Sequence, residues 1–78
     1  MEQNTAIGVV KCAYERAGIS QKKLADKIGA NSQQAVYNMM NAKNGMRADN
    51  LIKLMNAMGY DVLVRDRVTD KEVKLVTE

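Results

Sequence analysis

The chain contains no histidine, proline, tryptophan or phenylalanine, and Cys12 is its one cysteine. A single cysteine excludes an intrachain disulfide. Without histidine a Cys/His zinc site is excluded as well. Metal-ligand clusters, phosphate-cradling glycine loops and nucleophile motifs are also missing, so neither an enzyme nor a cofactor is expected. Cys12 itself reads as a small buried apolar residue. The absence of proline favours uninterrupted helices. No run approaches the roughly 18 apolar residues that cross a bilayer. The opening MEQNTAIGVVKCAYERAG has neither the basic start nor the continuous apolar stretch of a signal peptide. No membrane contact is therefore expected, and a cytoplasmic location is.

What is present fits one small domain of 78 residues. A core of this size is marginal, and dimerisation is a common remedy. Bulky apolar volume comes from six Met and three Tyr together with Leu, Ile and Val. Met at helical spacing (Met39, Met40, Met46, Met55, Met58) reads as core filler. Net charge is +3, which permits nucleic-acid binding without requiring it.

Periodicity divides the chain into four helices and a hairpin. Ile7, Val10, Tyr14 and Ala17 form a helical apolar stripe, with Thr5 or Asn4 as cap and Gly18 as stop, giving a helix over about 5–17. Ser20 caps a second helix over about 21–28. Leu24, Ala25 and Ile28 face inward there, and Gly29 ends it. Ser32 or Asn31 can cap a third helix over about 33–41, whose inner face is Val36, Met39 and Met40. The stretch Ala42 to Gly45 is a loop, with Met46 tucked beneath it. A fourth helix over about 47–58 carries Leu51, Leu54, Met55 and Met58, with Ile52 adding width, and ends at Gly59. Beyond it Tyr60–Arg65 and Glu72–Val76 alternate as strands around a turn at Val68–Lys71, a β-hairpin over about 60–76. The expected fold is mainly α, four helices followed by a C-terminal hairpin.

Two short helices joined by a glycine turn form a helix-turn-helix unit at Gln21–Asn41. Ala25 lets the third helix cross closely, and Gly29 supplies a turn residue that tolerates positive φ. The run Ile19-Ser20-Gln21-Lys22-Lys23-Leu24-Ala25-Asp26-Lys27-Ile28-Gly29 resembles the second-helix segment of phage repressor and Cro-type (XRE-like) helix-turn-helix proteins. The likeness continues through Gln33-Gln34-Ala35-Val36, Asn41 to Gly45 and Leu51 to Gly59, covering about residues 5–62. One feature departs from the family. Ala30, Asn31 and Ser32 separate Gly29 from Gln33 where the family has two residues. Either the turn is one residue longer and Gln33 leads the third helix, or Ser32 leads it and Val36 loses its inner position. Burial of Val36 with Met39 and Met40 favours the longer turn.

The resemblance implies a sequence-specific transcriptional regulator, phage- or prophage-like, that binds double-stranded DNA with the third helix in the major groove. Gln33 and Gln34 suit bidentate readout of adenine, and Asn38, one turn on, extends that face. Tyr37 either touches a thymine methyl or a phosphate, or packs against the second helix. Gln21 opens the second helix, where N–H groups meet a phosphate; by resemblance its side chain also braces the first glutamine. Lys22, Asn41, Lys43 and Asn44 are candidate phosphate contacts. Regulators of this kind usually bind as homodimers. The hairpin residues Val62, Val64, Val73 and Leu75 are the candidate dimer contact, unless the hairpin only closes the core of its own chain. A different use of the scaffold is a protein-interaction module, such as an anti-repressor, an antitoxin-like partner or a phage inhibitor of a host defence complex. The acidic Asp61, Asp66, Asp70 and Glu72 would then face a protein partner.

Overall fold

A computed structural model of the chain describes residues 5–77. Four helices, α1 (Ala6–Ala17), α2 (Gln21–Ile28), α3 (Gln33–Met40) and α4 (Ala48–Ala57), precede strands β1 (Val62–Arg65) and β2 (Glu72–Leu75). The expected elements are all present, with ends moved by a residue or two. Asn41 is the C-cap of α3 rather than its last helical residue. Asn4, the alternative first cap, lies outside the described residues.

Side-chain caps set the helix starts. Thr5 Oγ1 accepts the Gly8 N–H at 3.0 Å, Ser20 Oγ that of Lys23 at 3.1 Å, and Ser32 Oγ that of Ala35 at 3.4 Å. Each satisfies one of the orphan donors of a first turn. Two of the stops share one hydrogen-bond pattern. At the end of α2, Ala30 N–H donates to Ala25 O and Gly29 N–H to Asp26 O; at the end of α4, Tyr60 N–H donates to Met55 O and Gly59 N–H to Asn56 O. These paired bonds need a left-handed residue, and Gly29 and Gly59 provide it with φ of 73° and 92°.

The core is a single cluster of Val10, Ala13, Leu24, Ala25, Val36, Met40, Leu54 and Met55, with Met39, Met46, Leu51, Met58 and Val62 packed around it. All four helices contribute, and α2 packs most extensively on α3. Several expectations for the core are corrected. In α1 the buried residues are Gly8, Val10 and Ala13, while Ala17 is exposed and Ile7 and Tyr14 are half-buried. The buried face of α1, which packs on α4 and α3, thus carries small residues at 8 and 13 that the coarse apolar spacing does not anticipate. Cys12 is half-buried rather than buried, because it sits at the margin of that face, beside Val9, Arg16, Met55 and Tyr60.

The hairpin is antiparallel, pairing Val62 with Leu75, Leu63 with Lys74, Val64 with Val73 and Arg65 with Glu72. Residues directly opposite share a face. Val62, Val64, Val73 and Leu75 therefore lie on one side, and Leu63, Arg65, Glu72 and Lys74 on the other. The turn is longer than expected and runs from Asp66. Asp70 N–H donates to Asp66 O, and Asp70 takes a φ of 60°. Asp66 Oδ1 accepts the Val68 N–H at 2.8 Å.

Candidate nucleic-acid interface

Gln33 is the first residue of α3 and Ser32 its cap, so the longer turn is the one the chain adopts. Val36 is fully buried and Met40 nearly so. At 3.6 residues per turn, burying positions 36 and 40 turns positions 34, 38 and 41 toward solvent and leaves 37 on the flank, whereas position 33 falls on the side of 36 and 40 and is open because it is the first residue of the helix. Gln33, Gln34, Tyr37, Asn38 and Asn41 are all exposed. Tyr37 is 49% exposed and lies outside the packed cluster, so its packing against α2 is limited.

Hydrogen bonds tie part of this face together. Gln34 Nε2 donates to Asn38 Oδ1 at 3.1 Å. That bond uses one amide hydrogen of Gln34 and leaves its second hydrogen and its Oε1 available, the donor and acceptor pair that adenine N7 and N6 require. Asn41 Nδ2 donates to the Tyr37 carbonyl at 2.8 Å, completing the last turn of α3. The bracing partner of Gln34 is thus Asn38, one turn away on the same helix. Among the described residues no hydrogen bond joins Gln21 to Gln33. Gln21 is half-buried at the start of α2, whereas Lys22 lines a shallow cleft with Ala30, Asn31, Ser32 and Gln33. Lys22 and the leading end of α3 are accordingly neighbours. Lys43 and Asn44 are exposed in the loop after α3.

The charge excess is local. Between residues 20 and 47, Lys22, Lys23, Lys27, Lys43 and Arg47 stand against Asp26 alone. In the hairpin Arg65, Arg67, Lys71 and Lys74 balance Asp61, Asp66, Asp70 and Glu72. Arg47 is the cation the motif-based reading passes over. It is exposed, caps α4 through its backbone alone, and pairs with Asp49 at 3.4 Å. No motif position marks it; only its place beyond the loop does.

A buried-faced helix crossing a second helix through a glycine turn, with a polar outer face in a basic surround, defines a helix-turn-helix domain. A helix-turn-helix family model matches residues 13–64. The chain belongs to that family, in its XRE-type form, and is a DNA-binding regulator of that type. No curated protein and no solved structure gives a significant match. No helix among the described residues is long and apolar enough to cross a membrane.

Proposed function

We propose that the protein is a sequence-specific transcriptional regulator of phage or prophage type, reading the major groove with α3 as a homodimer. The observation that carries this reading is the division of α3. Val36 and Met40 anchor its inner side, Gln34, Tyr37 and Asn38 are exposed on the outer one, and Gln33 is exposed at its leading end. A recognition helix contacts base edges with its N-terminal residues. Gln33 and Gln34 occupy that end, and the amide of Gln34, while bonded to Asn38, keeps one donor and one acceptor for adenine. Lys22, Lys43 and Asn44, with the free N–H groups at the start of α2, supply phosphate contacts that fix register without carrying sequence. Tyr37 adds an apolar contact to a thymine methyl.

The dimer rests on the hairpin. Val62 and Leu75 are half-buried at its base, but Val64 and Val73 on the same face are 53% and 64% exposed. An isolated two-stranded hairpin is marginal in water, and this one covers only part of its apolar face with its own helices. The same exposed residues are what a protein-interaction reading would use. The hairpin carries as many basic as acidic residues, and a second copy of the same hairpin accounts for its exposed valines most directly.

Gel-shift titration of the Gln33→Ala/Gln34→Ala double variant tests the assignment. Loss of about 1–3 kcal/mol of specific binding per bidentate pair is expected. Unchanged affinity would remove α3 from the reading role.

A further inference from the structure

Both edges of the two-stranded hairpin are unpaired among the described residues. At the base of the hairpin Asp61, Val62 and Leu63 line a groove with Thr5, Ala6 and Val9, and Lys74, Leu75 and Val76 line another with Asn56, Gly59 and Tyr60. The sheet has only two strands, and β1 is the one that packs on α4. Of the two edges, β2 carries the charge alternation, with Glu72 and Lys74 both exposed, where β1 offers Leu63 and Arg65.

The hydrogen-bond phase of that edge follows from the turn. Asp66 N–H donates to Lys71 O at 2.9 Å, so Asp66 and Lys71 form a hydrogen-bonded position of the ladder. Such positions alternate along an antiparallel pair. With the observed register, Val64–Val73 and Val62–Leu75 are then hydrogen-bonded pairs, and Arg65–Glu72 and Leu63–Lys74 are not. Val73 therefore directs its N–H and C=O at β1. Glu72 and Lys74 direct theirs outward, from the edge of β2.

Only a few twofold registers let these outward groups meet. Pairing Glu72 with Glu72 of a second copy, or Lys74 with Lys74, sets like charges opposite each other, which destabilises a sheet. Pairing Glu72 with Lys74 satisfies the backbone groups of both residues in both copies. It also places opposite charges face to face twice, and brings the two copies of Val73 together on the apolar face.

We infer that two copies join through antiparallel β2–β2 pairing with the twofold axis at Val73, forming a four-stranded sheet whose register is selected by the Glu72–Lys74 alternation. The contact is isologous, the same patch on both copies. This inference rests on the dimeric reading above and specifies its interface.

Val73 sits at the non-hydrogen-bonded position on the axis, where Cα atoms are about 4.5 Å apart. That separation is inside the roughly 4.4–6.8 Å range a disulfide accepts. In a Cys12→Ser background, Val73→Cys is expected to give a disulfide-linked dimer under mild oxidation. Val64→Cys, about three strand spacings or roughly 14 Å from its mate, should not. Sedimentation supplies an independent arm. Glu72→Lys should weaken the dimer about tenfold or more, by turning two attractive cross-strand pairs into repulsive ones. Glu72→Lys/Lys74→Glu should restore it. These positions are exposed, and helical circular dichroism checks that each variant folds. A wild-type dimer that ignores the charge reversal and cross-links equally at both positions would overturn this interface while leaving a dimeric regulator in place. A wild-type chain that stays monomeric at all concentrations, free and on DNA, would overturn the interface and the dimer together.

Discussion

In the proposed reading of DNA by α3, the bond between Gln34 and Asn38 prepares a base-contacting residue before DNA arrives. A free glutamine side chain samples several rotamers, and the bond to Asn38 one turn on removes part of that freedom. Asn38→Ala should therefore weaken binding to the preferred site by about 0.5–1.5 kcal/mol, the net worth of one hydrogen bond. Gln34→Ala should cost more, because it removes the base contact itself. Fluorescence anisotropy on one labelled duplex ranks the two; equal or reversed losses would contradict the bracing role. Lys22 and Lys43 act differently. Replacing either by Ala should weaken binding to all sequences alike and lower the salt slope by about 1, which salt titration measures. The sequence alone points to Gln34 and Asn38 through their four-residue spacing. It cannot show that the amides bond, because that depends on rotamers. The expected Gln21 brace fails for a related reason: a family habit was carried across a turn that is one residue longer here.

At the scale of elements, stop and start signals were the most legible part of the chain. Ser20, Ser32, Gly29 and Gly59 act locally, so their chemistry can be read without tertiary context. A Cβ added at Gly29 would meet no atom within 4 Å, yet φ there is +73°. Gly29→Ala should thus cost roughly 1–2 kcal/mol from left-handed backbone strain alone, with thermal unfolding as the measure. A cost near zero would mean the turn can relax. Ser32→Ala should cost about 0.5–2 kcal/mol and loosen the leading turn of α3. The inward face of α1 was less legible. Ile7, Val10, Tyr14 and Ala17 fit the period, but Gly8, Val10 and Ala13 are the ones buried. Neighbouring stripes on a short helix differ little in spacing, and which of them is buried is decided by the helices it packs on.

The whole molecule divides its work between two ends. The helix-turn-helix half holds the core and the excess of positive charge, and the hairpin half is electrically balanced with exposed valines. Leu54 is fully buried in the helical cluster, so Leu54→Ala should destabilise the fold by about 2–5 kcal/mol. Denaturant unfolding checks this, and a loss under 1 kcal/mol would place the core elsewhere. Alternation in the tail announced the strands, and their facing followed from it. The missing information was coverage: no local pattern states how much of Val64 and Val73 the helices reach. The central claim is that α3 reads DNA sequence. Selection of bound duplexes from a random pool tests it most directly. The account predicts enrichment of a two-part palindrome, with adenine in each half-site, that the Gln33→Ala/Gln34→Ala variant no longer selects. A pool that stays random, or the same palindrome recovered by the double variant, would contradict it.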